Sequence, residues 1–150
     1  IMGKVISLVN QKGGVGKTTT CVNLAAGLAK IGQRVLLVDL DPQGNATMGS
    51  GVNKRELAGS VYQVLLGEKS VAQARTRAQK CGYDVLGANR DLAGAEVELV
   101  DLDEREKRLK NALAAVVADY DFVLIDCPPS LSMLTLNGLC SAHGVGVPMQ

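Results

Sequence analysis

Histidine is almost missing from this chain, His143 being the only one, and there is no tryptophan and a single phenylalanine. A lone histidine beside glycine is far more often structural than catalytic, so His143 takes no role. The four cysteines, Cys21, Cys81, Cys127 and Cys140, stand far apart, with no C-x-x-C pair and no neighbouring histidine to complete a zinc site. They read as reduced, mostly buried thiols. An excess of charge is lacking too: 16 Lys and Arg against 15 Asp and Glu leave a formal net charge of +1. That excludes a strongly basic nucleic-acid-binding domain as a whole and leaves room only for a local patch. No apolar run reaches the roughly 18 residues of a membrane span, and no basic segment leads into an apolar stretch with a cleavage site, so the chain is expected in the cytoplasm. Repeats, low-complexity stretches and interdomain linkers are absent from the sequence. What is present is 150 residues, 47% hydrophobic and 21% charged, enough for one core and one domain.

The most informative stretch is Asn10-Gln11-Lys12-Gly13-Gly14-Val15-Gly16-Lys17-Thr18-Thr19, directly after the apolar run Val5-Ile6-Ser7-Leu8-Val9. A buried strand delivers the chain to a glycine turn, and the apolar run from Cys21 to Ile31 continues as a helix whose first amides point back at the turn. This is the pattern of a phosphate-binding loop. Gly13, Gly14 and Gly16 let successive N–H groups converge on phosphate oxygens, Lys17 adds a mobile charge for the β- and γ-phosphates, and the Thr18 hydroxyl is placed to ligate Mg²⁺. The usual pattern G-x-x-x-x-G-K-[ST] asks for glycine at position 11, where this chain has Gln11, and a second lysine, Lys12, stands inside the loop. A dinucleotide-binding fingerprint is the rival reading, with Asp39 at a suitable distance for a ribose contact, but Thr19 occupies the place of its third glycine. Lysine and threonine after the last glycine suit a triphosphate with its metal better than a pyrophosphate.

Gly32-Gln33 breaks the helix, and Arg34 to Asp39 form a second apolar strand, which implies a right-handed parallel unit. The strand runs out in Asp39-Leu40-Asp41-Pro42-Gln43-Gly44-Asn45. Ligands of open parallel sheets sit beyond the carboxyl ends of the strands, so Asp39 and Asp41 are expected to face the loop's site; an aspartate-capped turn is the plainer account of the same residues. Short helical patches are expected around 60–66 and 71–77, with Arg75, Arg77 and Lys80 on a solvated helix face, then a strand over 83–86 and a loop over 87–94. Glu96 to Asp119 reads as one long covering helix, its charges alternating in sign as i, i+4 pairs. Phe122 to Ile125 is an apolar strand ending in Asp126, with Pro128 and Pro129 stopping it, and Asp126 is expected to hold Mg²⁺ through a water, opposite Thr18. A helix over 130–141 and the start of a strand over 144–148 follow. With no helix to cover that strand, the expected unit is the N-terminal portion of a single P-loop ATPase domain, residues 1–150, truncated at its C-terminal end and without a second domain.

With these motifs read, the chain resembles the ParA/Soj-type partition ATPases, within the MinD/ParA group of deviant P-loop proteins. The resemblance rests on Lys12 to Thr19, on Val38-Asp39-Leu40-Asp41-Pro42-Gln43-Gly44-Asn45-Ala46-Thr47, and on Leu124-Ile125-Asp126-Cys127-Pro128-Pro129-Ser130. It implies an α/β P-loop NTPase fold, a mostly parallel sheet with helices on both faces, and ATP hydrolysis with ATP/ADP and Mg²⁺ as ligands. It implies that Lys12, Gly13, Gly14, Val15, Gly16, Lys17, Thr18 and Thr19 bind the nucleotide, with Lys12 reaching across a sandwich dimer to the partner's phosphates and Lys17 serving its own subunit. Asp41 is the implied water-orienting residue, and Thr18 and Asp126 the implied metal residues; Asp39, from its place at the strand end, is expected to join the metal site by supporting loop and metal geometry. The implied partners are an ATP-dependent homodimer, a ParB/Spo0J-like centromere-binding protein and non-specific DNA bound through a further C-terminal part, with no membrane and a nucleoid-associated place in the cytoplasm. Gly146 departs from the pattern, the family having a bulky apolar residue there. Two other readings stand beside it: an ATPase of the nitrogenase iron protein group, whose cluster cysteines Cys127 and Cys140 do not match, and a nucleotide-binding remnant without turnover.

Overall fold

The computed structural model describes residues 4–9, 15–55, 57–129 and 132–146. Its frame is a six-stranded sheet built from β1 (Lys4–Leu8), β2 (Val35–Asp39), β3 (Thr76–Ala78), β4 (Tyr83–Leu86), β5 (Phe122–Asp126) and β6 (Gly144–Gly146), in the order β3-β4-β2-β5-β1-β6. All pairings are parallel except β3 with β4. β2 is buried at every position, as a parallel strand covered on both faces must be. Its side chains alternate between two cores. Leu36 and Val38 join Val5, Val123 and Ile125 on one face, while Val35 and Leu37 join Leu8, Leu124, Cys21 and Ala25 on the other. Each such fully buried aliphatic side chain contributes about 1.5–3 kcal/mol.

The second face is covered by α1 (Val15–Lys30), which buries Cys21 and Ala25, one helical turn apart. α1 stops in a Schellman pattern: Gly32 adopts φ +86, its N–H bonds the Ala29 carbonyl, and the Gln33 N–H bonds that of Leu28. α2 (Asn45–Gly49) lies beside α1. The first face carries α3 (Val61–Leu65), α4 (Val71–Ala74), α5 (Ala95–Glu98), α6 (Arg108–Leu113) and α7 (Met133–Ser141).

Two expectations are corrected. The stretch from Glu96 to Asp119 is not one helix. α5 runs into a 3₁₀ turn over Leu99–Asp101, Leu102 turns extended, Glu104 takes φ 51, and a second 3₁₀ turn precedes α6. A single helix there would run about 36 Å, whereas a five-residue strand spans about 17 Å. Folding the segment back lets Leu99, Leu109 and Leu113 all reach the core. Its charges also work differently from ladder pairs. Arg105 donates to the Val100 carbonyl, and Arg108 donates to Leu65 at 2.8 Å.

The helical patch over 71–77 likewise ends early. α4 closes at Ala74, Arg75 is extended, and β3 then pairs with β4, so Arg77 lies on a strand rather than a helix face. Arg77 meets Asp84 across this hairpin at 3.2 Å. Arg75 donates to the Tyr120 hydroxyl at 2.7 Å, and that hydroxyl donates to Asp84 at 2.6 Å. Burial, then the Asp84 hydrogen bond, raise the Tyr120 acid strongly. These residues line a cleft of about 490 Å³ at the amino end of the sheet. It lies at the opposite end of the sheet from Asp39 and Asp126.

Candidate nucleotide and metal site

The strand register brings the motifs together. Leu8, the last residue of β1, is level with Asp126, and Asp126 is level with Asp39 on its other side. β1 therefore ends beside the two aspartates, at the carboxyl edge where ligands of such sheets bind. Lys12, Gly13 and Gly14 lie outside the described residues. Val15, Gly16, Lys17 and Thr18 form the first turn of α1, with only their backbone described, and Thr19 is exposed. A helix start aimed at this edge offers unpaired amides and a positive dipole end.

Asp39 has no exposed surface and is held on both oxygens. Its Oδ1 accepts the Asp41 N–H at 3.0 Å; its Oδ2 accepts the Thr47 N–H at 2.9 Å and the Thr47 hydroxyl at 2.7 Å. Burial first, and the Asp126 charge second, push the Asp39 carboxyl up to about 7, against the lowering effect of those hydrogen bonds. Thr47 in turn accepts the Ala88 N–H at 3.0 Å, so one hydroxyl joins the ends of β2 and β4. Sequence reasoning assigned Thr47 no role. A threonine shortly after an aspartate-ended strand, where α2 begins, is the signal that points to it.

Asp41 is half-buried, and its Oδ1 accepts the Gln43 N–H at 3.0 Å. The turn then needs Gly44: at φ +69 a Cβ there would stand 2.9 Å from the Ala88 carbonyl oxygen. Lys54 clamps the same turn by donating to the Gln43 carbonyl at 2.7 Å.

Asp126 is fully buried at the end of β5, its carbonyl accepting the Leu40 N–H at 2.9 Å. Two carboxylates side by side in a buried site offer hard oxygen ligands, which suit Mg²⁺. Three hydrogen bonds occupy most of the acceptor capacity of Asp39 and commit it to shaping its own turn.

A family model described as an AAA domain matches residues 3–150. The chain is 53% identical to the sporulation initiation inhibitor protein Soj of Bacillus subtilis, over 99% of its own length and 59% of Soj. It is 49% identical to the chromosome partitioning protein ParA of Myxococcus xanthus, over 99% of its length and 53% of that protein. Among solved structures, it is similar to a cobyrinic acid a,c-diamide synthase of Mycobacterium smegmatis with bound ADP and magnesium, at a TM-score of 0.95 and 52% identity, covering 99% of this chain and 60% of that one. The chain thus spans little more than half the length of the relatives it matches. With the parallel sheet, the register of Asp39 and Asp126 and the family match over residues 3–150 together, the chain belongs to the AAA domain family and is similar to the Soj and ParA proteins within it.

Proposed function

We propose that this chain forms the nucleotide-binding part of an ATP-hydrolysing switch of the ParA/Soj type that dimerises with ATP and acts in partitioning DNA. The observation that carries the reading is the register of Leu8, Asp126 and Asp39, which sets the entry to the loop helix and two buried carboxylates at one edge of the sheet. ATP with Mg²⁺ is the ligand this edge suits. Magnesium would supply charge neutralisation for the phosphates, held by Thr18 and Asp126. The amides from Gly13 to Thr19, with Lys17, bind and orient the phosphates within the subunit. Asp41, on a turn fixed by Asp39, Gly44 and Lys54, orients the attacking water. Phosphoryl transfer to water needs positioning and charge stabilisation rather than covalent chemistry, which matches this set.

Lys12 acts in trans under this reading. Lys17 and the glycine amides already serve the phosphates of their own subunit, so a second loop lysine has its use at the partner's γ-phosphate, as a supplied arginine finger does. A ParB-like protein and non-specific DNA are the partners the family resemblance supports, DNA through a further C-terminal part. The test is ATP turnover per subunit across a dilution series of the full-length protein, with sedimentation in ATP and Mg²⁺. Turnover that rises with concentration, lost in Lys12→Ala while ADP binding persists, is the expected result. Concentration-independent turnover with a dimeric Lys12→Ala protein would remove the trans role, and unchanged ATP affinity in Lys17→Ala would remove the phosphate assignment.

A further inference from the structure

Glu96, on α5, spends both carboxylate oxygens on another helix. Its Oε2 accepts the Met133 N–H at 2.9 Å and its Oε1 accepts the Leu134 N–H at 3.1 Å, the first two amides of α7. These amides have no partner within their own helix, and an anion beside them also suits the dipole. The third is served by Ser132, whose Oγ accepts the Thr135 N–H at 3.3 Å. The start of α7 is thereby tied to a segment far away in sequence.

What α7 then touches gives the tie its consequence. Gly138 faces the backs of both aspartate strands: a Cβ placed on it would stand 2.5 Å from Cys127 Sγ and 3.2 Å from Leu40 Cδ1. Cys127 and Leu40 directly follow Asp126 and Asp39. Ser7 Oγ donates to the Gly138 carbonyl at 2.6 Å, and Thr135 Oγ1 donates to the Pro128 carbonyl at 3.4 Å. A close-packed contact of this kind transmits a shift of the helix to the residues beneath it, because there is no slack to absorb it.

We propose that Glu96 is a positioning residue for ATP hydrolysis, holding α7 so that Cys127 and Leu40 set Asp126 and the Asp41 turn in their working places. This rests on the reading of that edge as the hydrolytic site. Because Glu96 touches no substrate, its loss acts on turnover more than on nucleotide affinity. Misplacement of catalytic groups by a fraction of an ångström is enough for an effect of about ten-fold.

The experiment uses full-length protein carrying Glu96→Ala, Glu96→Gln or, as a control for general stability, Ser70→Ala, which removes the cap of α4 away from the site. Steady-state ATP turnover, ATP affinity by calorimetry with Mg²⁺, and amide hydrogen exchange by mass spectrometry are read for each. Expected for Glu96→Ala are a kcat about ten-fold lower, an ATP affinity within about three-fold of the parent, and faster exchange in peptides over 127–137. Glu96→Gln, with one acceptor oxygen left, falls between, and Ser70→Ala keeps its turnover. A parental kcat in Glu96→Ala, or an equal loss in Ser70→Ala, overturns the positioning role. Unchanged exchange over 127–137 overturns the tether itself. A parent protein that turns over no ATP sinks the hydrolytic reading, and the positioning role with it, a result told apart by exchange that still responds to Glu96→Ala.

Discussion

Asp39 and Asp126 are register partners at the carboxyl ends of adjacent parallel strands, both without exposed surface, and the charge of Asp126 is one of the two causes that raise the Asp39 acid to about 7. Such a pair is costly to the empty protein and useful to one that binds a cation, as strain at functional sites often is.

Asp126→Asn is therefore expected to be more stable than the parent without nucleotide, by about 1 kcal/mol, the scale of a one-unit acid shift. It should also lose the stabilisation that Mg²⁺ with ATP gives the parent, about 2.7 kcal/mol at a hundred-fold excess over the dissociation constant. Thermal melts with and without Mg–ATP, with EDTA as the metal-free arm, check both. A less stable empty variant that responds to Mg–ATP as the parent does would take Asp126 out of the metal site.

Thr47→Val keeps the shape of a fully buried side chain and removes its hydroxyl. The Ala88 N–H loses its acceptor and Asp39 loses its shortest donor. A loss of about 1–3 kcal/mol in urea unfolding is expected, the range for a buried group left unsatisfied. The Asp39 acid should rise further, since the Thr47 hydrogen bond holds it down. A stability change within a few tenths of a kcal/mol of the parent would show that the strand ends do not depend on this hydroxyl.

Asp41→Ala removes the carboxylate proposed to orient water while leaving the amide that donates to Asp39. The variant is expected to bind ATP and dimerise but to hydrolyse it about 10²-fold or more slowly, the scale of a lost proton-handling group. Single-turnover hydrolysis with preformed ATP complex is the measurement. A parental rate would move the water-orienting role away from Asp41.

At the far end of the sheet, Arg34 and Asp121 form a partly exposed pair at 3.2 Å, and the Arg34 backbone N–H also donates to Asp121 at 2.8 Å. The side-chain hydrogen bond from Arg34, then its backbone hydrogen bond, lower the Asp121 acid below its ordinary value. A carboxyl whose folded-state acid is lowered adds stability that is present above its unfolded value, about 3.9, and is lost as pH falls through the folded value. The stability gap between parent and Asp121→Asn should thus be open at pH 5 and close as the pH is lowered past about 4, with added salt narrowing it throughout. Urea titrations of both proteins at stepped pH would show it, and a gap that widens in acid would contradict the assignment.

Local residue order was enough for the parallel strands. Apolar runs ending in Asp39 and Asp126 carry their meaning in spacing of a few residues, because a buried strand needs only its own apolar run. Sequence alone did not reveal the break of the 96–119 segment, since its periodicity is helical throughout and only the width of the sheet forces Leu102 and Glu104 out of line. Nor did it reveal the short strand β3, which exists because β4 offers it an edge. The surroundings of Asp39 were also decided by the fold. Asp39 and Asp126 look alike as strand ends, but Thr47 and the Asp41 amide reach only Asp39 in these contacts, while register sets the second carboxylate beside it. Glu96 is the plainest case: nothing near it in sequence marks it, and its partners on α7 are brought to it only by tertiary packing across the first face of the sheet.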